Sequence, residues 1–280
     1  MLFKTKRLPE SRARRDGSSA PGPKEINIYR RYLVRAIHGS KHPRVLVLGA
    51  TPELRDLAIG LKCETVAVDN SRAVLSIMQT VMKHANCDKD IFVLAKWQDI
   101  GKLFSPISFD AVLADVAVNN IGISDQFRLM ADVKKLLRPG GLFINRHTVY
   151  LDKMPIQSVE YFYQQYKKGI INWLFFWWCA IGYYTKYQPK VYNPKNKCWL
   201  AKQAFSAVDK AIKNKEIKLT KADILKIKNL AAHADKVHHY TYPKSQWEKI
   251  ARRYFNIVAV APTFRWDYAL SCPIYVYKKR

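Results

Sequence analysis

Acidic residues are scarce in this 280-residue chain: 22 Asp and Glu stand against 48 Lys and Arg, a formal charge of +26 at neutral pH. The deficit is uneven. Residues 1–30 carry 8 basic and 3 acidic side chains, residues 31–150 carry 16 and 11, and residues 151–280 carry 24 and 8. A surface of this sign suits nucleic acid, an anionic membrane or an acidic substrate, and it also arises as a solvated lysine face that binds none of them. Cysteines are few as well. Cys63, Cys87, Cys179, Cys198 and Cys272 stand singly, without a Cys-x-x-Cys pair, so neither a disulfide framework nor a structural zinc site is expected. Nor is there an apolar run of the roughly 20 residues that a membrane-spanning helix needs. The nearest, IINWLFFWWCAIGYYT at 170–185, is 16 residues long and contains Asn172; it reads as a buried helix or pocket wall, with interfacial membrane contact as the alternative. The basic N-terminal residues lack the apolar core of a secretory leader, and a cytoplasmic location is expected.

The stretch from Val45 to Asp69, VLVLGATPELRDLAIGLKCETVAVD, organises the rest. Val45 to Leu48 is a continuous apolar run suited to a parallel strand buried on both faces. Gly49 ends it. Thr51 is positioned to cap a helix, Pro52 suits its first position, and Leu54, Leu57, Ala58 and Leu61 recur at helical spacing. A second apolar run, Thr65 to Val68, closes on Asp69. The result is a strand, helix and strand with a carboxylate about 20 residues beyond the first glycine, where ribose hydroxyls are commonly bound. What the turn lacks is Gly-x-Gly-x-x-Gly: positions 51 and 54 hold Thr and Leu. Without those glycines a pyrophosphate cannot approach the backbone closely, which disfavours a dinucleotide but leaves an adenosine without phosphates. S-adenosylmethionine is the natural candidate.

Along the chain, residues 1–23 mix Arg and Lys with Ser, Gly and Pro and read as a mobile basic tail before a single domain spanning 24–280. An amphipathic helix over Glu25–His38 leads into the first strand. After Asp69, Ser71 caps a further helix, and strands follow at Ile91–Ala95, Asp110–Val116 and Leu142–Asn145, the last after the breakers Pro139, Gly140 and Gly141. Two closing strands are expected at Ile257–Ala261 and Pro273–Lys278. Alternation of this kind predicts an α/β fold: a Rossmann-like seven-stranded, mostly parallel sheet with an antiparallel terminal strand, helices on both faces, and a helical basic insertion at 151–245 before the last two strands. Within that insertion, Leu200–Ala232 reads as one lysine-rich helical region.

GATPEL at Gly49–Leu54, VAVD ending at Asp69, KWQDI with Trp97 and Asp99, FDAVLAD ending at Asp115, LLRPGG and the closing pair of strands together resemble the class I S-adenosylmethionine-dependent methyltransferases. The likeness covers about half the chain. The combination of GATPEL, KWQDI, ADVAVNN and DYALSCPIYVY is similar to a bacterial subgroup of that family. Departures stand at Val47, Thr51 and Glu53, where the family has an acid and further glycines. The resemblance implies that Gly49, Ala50 and Thr51 form the turn beneath the methyl donor, that Asp69 takes the ribose hydroxyls with Asn70 beside the adenine, and that Trp97 and Asp99 serve the adenine ring and its amino group. Asp115, Asn119 and Asn120 then face the acceptor, with Asp115 also bordering the methyl donor.

That acceptor is left open by the sequence. A small or anionic molecule is favoured, because the Asp/Asn-Pro-Pro-Tyr tetrad of many nucleic-acid amino methylases is missing after Asp115; nucleic acid remains the alternative, either as substrate or as the partner of a non-catalytic relative. His147 could act as a base but reads more readily as a cap. The group His233, His238 and His239 lacks accompanying carboxylate or cysteine ligands, and no metal is expected.

Overall fold

The computed structural model describes residues 20–151, 159–171, 173, 176, 192, 193, 195, 197–231, 238–263 and 271–280. The expected tail therefore lies almost wholly outside the described residues. Its last part does not: Ala20 is fully buried, and the Gly22 amide donates to Glu25 Oε2 at 3.0 Å, so ordered packing begins before residue 23.

Helix α1 (Pro23–Ile37) precedes strand β1 (Arg44–Leu48), helix α2 (Pro52–Gly60), β2 (Glu64–Asp69), α3 (Arg72–Gln79) and β3 (Asp90–Leu94). A 3-10 turn (Trp97–Asp99) and the short α4 (Ile100–Leu103) lead to β4 (Phe109–Asp115), a second 3-10 turn (Ala117–Asn120), α5 (Ile123–Leu136) and β5 (Leu137–Arg146). The chain continues through α6 (Val159–Lys167), β6 (Tyr192–Asn193), β7 (Cys198–Leu200), α7 (Ala201–Lys213), α8 (Lys221–Ala231) and β8 (His238–Tyr240), and ends with α9 (Lys244–Ala251), β9 (Phe255–Ala261) and β10 (Ile274–Lys279).

Seven strands form one sheet in the order β3-β2-β1-β4-β5-β10-β9, with β1 to β5 parallel and β10 antiparallel to both neighbours. Successive side chains of a strand point to opposite faces, so an apolar run such as Val45–Leu48 feeds two cores. Val45 and Val47 pack with Tyr29 and Leu33 of α1 and Leu54 and Leu57 of α2, whereas Leu46 and Leu48 pack with Leu129, Met130 and Val133 of α5 and Trp247 of α9. At full burial each of these aliphatic side chains contributes about 1.5–3 kcal/mol, which is why the apolar periodicity reports the architecture. The breaker sequence Arg138–Gly141 is an outward excursion inside β5: pairing passes from Phe109–Leu137 to Ala111–Leu142. Gly140 there adopts φ +78°, and a side chain on Gly141 would meet the Asp110 carbonyl at 2.9 Å.

The insertion has its own core, in which Phe162 and Tyr163 of α6 and Phe176 meet Ala204 and Val208 of α7 and Ile227 of α8. The lysine-rich helical region expected over Leu200–Ala232 is built of two helices. Lys215 adopts φ +61°, which a helix interior does not permit, and α8 restarts where Thr220 Oγ1 accepts the Asp223 amide at 3.2 Å. A small antiparallel sheet, β6-β7-β8, is absent from the sequence reading because strands of two or three residues are too short to show alternation. Of the aromatic stretch 170–185, only Ile170, Ile171, Trp173 and Phe176 are described; Ile171 and Phe176 are buried in the insertion core, and Trp177 lies outside the described residues. Among the described residues no helix is long and apolar enough to cross a membrane.

Candidate active site

The strand order reverses at β1, which lies between β2 and β4. Open α/β sheets place their ligand crevice outside the carboxyl ends of the strands at such a point. A cleft of about 160 Å³ opens there, lined by Gly49, Ala50, Thr51, Asp69, Trp97 and Asp115 together with Leu48, Val74, Met78 and Ala117.

Gly49 turns the chain from β1 with φ +103° while its amide donates to the Val68 carbonyl at 2.8 Å. A side chain there would meet Trp97 only at an ordinary 3.6 Å, so the dihedral angle and not the space requires glycine. Thr51 occupies the helix-capping position, yet its hydroxyl makes no cap hydrogen bond. The turn is braced from α2 by Arg55, fully buried, whose guanidinium pairs with Asp90 at 2.5 Å, lies 4.4 Å from the Phe92 ring centre and reaches the Ala50 carbonyl at 3.5 Å.

Asp69 ends β2 with 8% of its surface exposed, and one carboxylate oxygen accepts the Ser71 amide at 2.9 Å. Burial raises its pKa above the ordinary carboxylate value, against the opposing effect of the Ser71 and Asn70 amides. Ser71 caps α3 as expected, accepting from the Val74 amide at 3.3 Å. Trp97 closes the other wall and fixes its ring by donating Nε1–H to the Val68 carbonyl at 2.7 Å. Asn70 and Asp99 do not line the cleft. Asp99 points to solvent-exposed cations instead, accepting from Lys102 at 3.0 Å with Arg128 at 3.6 Å, and the Lys102 hydrogen bond holds its carboxyl below the usual range.

On the β4 side, Asp115 and Arg146 face each other across β4 and β5 and form a buried bidentate pair, with Nε and Nη2 of Arg146 donating at 2.5 and 3.0 Å. Burial opposes the charged guanidinium, but Asp115 outweighs it and the Arg146 pKa rises above its usual value. Tyr29 of α1 ties the same strand ends together: its hydroxyl donates to the Ala114 carbonyl at 2.7 Å and accepts the Arg146 amide at 2.9 Å. Val116, next in the chain, adopts φ +59°. That region is costly for a β-branched residue, by about 1–3 kcal/mol, and such strain clusters at functional loops. Val116→Asn, which tolerates that region, is expected to raise the melting temperature; an unchanged or lower value would show that packing of the valine outweighs the strain.

Asn119 is placed differently from the sequence reading. It is fully buried and away from the cleft, with Nδ2 donating to the Thr148 and Tyr240 carbonyls at 2.9 and 2.8 Å and Oδ1 accepting the Thr148 amide at 2.9 Å. It is a latch between the turn after β4, the exit of β5 and β8. Asn119→Ala is therefore expected to cost about 2 kcal/mol of stability by orphaning buried backbone groups, measured by urea denaturation; a fully stable variant would contradict the latch. Asn120 is exposed and outside the cleft lining. His147 is core, stacked on Trp247 at a ring separation of 3.9 Å. His233 lies outside the described residues, and of His238 and His239 only the backbone in β8 is described; among the described residues no cluster of three or more His, Cys, Asp or Glu is arranged to hold a metal.

The sequence reading missed Leu48, Val74, Met78 and Ala117 in the lining. It also missed Arg146, although a lone charge in the apolar strand LFINR was a usable signal.

Residues 49–145 match a family described as a methyltransferase domain. No curated protein matches the sequence. Among solved structures, the PH0226 protein of Pyrococcus horikoshii is 14% identical with a TM-score of 0.56, over 98% of this chain and 100% of that one. A Rhodobacter sphaeroides protein, provisionally described as a Zn-dependent alcohol dehydrogenase, is 14% identical with a TM-score of 0.54 over 89% and 90%. The CurJ carbon methyltransferase is 12% identical with a TM-score of 0.51, over 91% of this chain and 54% of that one. At these identities the structures speak for the fold alone. The methyltransferase-domain match covers about a third of the chain, from Gly49 to Asn145, and the strand order around it is that of an open α/β sheet with its crevice where the order reverses.

Proposed function

We propose that the chain binds S-adenosylmethionine at the ends of β1 and β2 and transfers its methyl group to a small-molecule acceptor. The observation that carries this reading is the convergence of the Gly49 turn, the buried Asp69 carboxylate, the Trp97 wall and Asp115 on one cleft at the reversal of strand order. The donor set fits an adenosine: a carboxylate for the paired hydroxyls, and the apolar surfaces of Val74, Met78 and Trp97 for a purine. When bound, the sulfonium supplies an already activated methyl group, so alignment carries much of the rate. Asp69 accepts from the ribose hydroxyls. Asp115 commits lone pairs to Arg146 and so holds the β4 edge rigid beside the acceptor.

At about 160 Å³ the cleft is smaller than the roughly 300–1,000 Å³ typical of ligand sites. The cleft is open to solvent, and Met78, an unbranched side chain, is the adaptable part of its wall. A second reading is favoured by Val47, which stands where the family has an acid, and by the charge of +26: a non-catalytic member of the fold that holds nucleic acid. Calorimetry with S-adenosylhomocysteine separates the two. Binding supports the donor site, whereas silence at millimolar ligand together with salt-sensitive RNA binding favours the second reading, and heat with NAD alone would point to an oxidoreductase.

A further inference from the structure

The two most exposed large apolar side chains among the described residues are Leu225, at 59%, and Ile170, at 55%, and both belong to the insertion. Single exposed apolar residues are ordinary on a protein surface. These are set in unusual surroundings. In α8, Asp223 and Ile227 are buried, which turns Leu225 directly away from the core, and at helical spacing Lys221 and Lys228 flank it as its neighbours one turn to either side. Both lysines are exposed.

The acids that could neutralise this face are spent elsewhere. Asp223 accepts from Tyr163 at 2.9 Å, Thr220 at 2.7 Å and Lys226 at 3.1 Å inside the insertion, and Asp209 of α7 pairs with Lys213 at 2.7 Å. Lys226 is itself held, its ammonium 4.9 Å from the Trp173 ring centre and 5.6 Å from that of Tyr166. This places the C-terminal end of α6, with Ile170 beyond it, against α8. From 197 to 231 the chain has 9 basic and 3 acidic residues.

We propose that the insertion docks on an anionic membrane surface through the outward face of α8, with Leu225 entering the headgroup layer and Lys221 and Lys228 meeting lipid phosphates and carboxylates. A nucleic-acid groove would gain nothing from a leucine at the centre of its basic face. A membrane surface can use both, since apolar insertion and attraction to anionic lipid act together. The proposal is independent of methyl transfer.

The test is co-sedimentation of the full chain with phosphatidylcholine vesicles with and without phosphatidylserine. Binding is expected only with phosphatidylserine, weakening as salt rises. At about 1 kcal/mol per lysine near the surface, Lys221→Ala with Lys228→Ala should weaken it about thirtyfold, and Leu225→Ser about tenfold. All three positions are exposed, and an unchanged melting temperature verifies the fold of each variant. No vesicle binding, or vesicle binding indifferent to these substitutions, would overturn the proposal. So would RNA binding that loses affinity in the lysine variant and is untouched by Leu225→Ser, because the lysines would then serve a polyanion without insertion.

Discussion

Arg146→Met should destabilise the chain by about 3–5 kcal/mol, the cost of leaving a carboxylate buried without its partner. The Asp115 and Arg146 side chains are only 3% and 5% exposed, so water cannot take over the lost hydrogen bonds. The double variant Asp115→Leu with Arg146→Met should recover most of the loss, since replacing a buried pair by apolar side chains is often neutral. Urea denaturation reads both, as a shift in midpoint at constant slope. If Arg146→Met cost less than about 1 kcal/mol, in the range of an exposed pair, the strand ends would be open to solvent and the β4 edge would not be held rigid by this pair. The double variant has a second use. With stability restored, any loss of methyl transfer reports on the alignment of the β4 edge and not on folding.

Asp69→Ala is expected to weaken S-adenosylmethionine and S-adenosylhomocysteine alike, by about 1.5–3 kcal/mol or roughly 10- to 150-fold, because both lose a charged acceptor for their hydroxyls. Calorimetry measures it, and equal affinity in the variant would move the ribose away from β2. The free chain should respond in the opposite sense to Asp69→Asn. Burial raises the Asp69 pKa in the folded state, so the folded chain binds this proton more readily than the unfolded one. Ionised Asp69 therefore opposes folding above its folded pKa, and that penalty fades as pH falls toward the unfolded value of about 3.9. At neutral pH Asp69→Asn, which keeps an oxygen for the Ser71 amide, should melt higher than the parent chain while binding the donor less well. Near pH 4 the gain should vanish. A gain of the same size at both pH values would mean that the effect is packing and not charge, and a site held under such a penalty is what a trade of stability for ligand binding predicts.

Much of the fold is legible in the sequence because burial on both faces writes itself as continuous apolar runs. Val45–Leu48, Thr65–Val68 and the strand ending at Asp115 can be read in order, and each loop signal between them, from Pro52 after Gly49 to Pro139–Gly141, has a local cause in backbone geometry. The Gly49 turn and Asp69 are legible for the same reason: both are fixed within one strand-helix-strand unit, so their meeting depends on few residues.

Other parts of the site depend on contacts between distant segments, and no local pattern encodes those. Asn119 and Asp115 are near neighbours in sequence, yet one is consumed by Thr148 and Tyr240 and the other by Arg146, 29 to 121 residues away. Asp99 and Trp97 sit two residues apart, but a 3-10 turn sends the ring into the cleft and the carboxylate out to Lys102. The sequence by itself determined the strands of the seven-stranded sheet and the carboxylate at the end of β2, because these follow from apolar periodicity and spacing. Tertiary structure alone decided which polar side chains remain available to a ligand, because a buried donor or acceptor goes to whichever partner the packing brings within hydrogen-bonding distance.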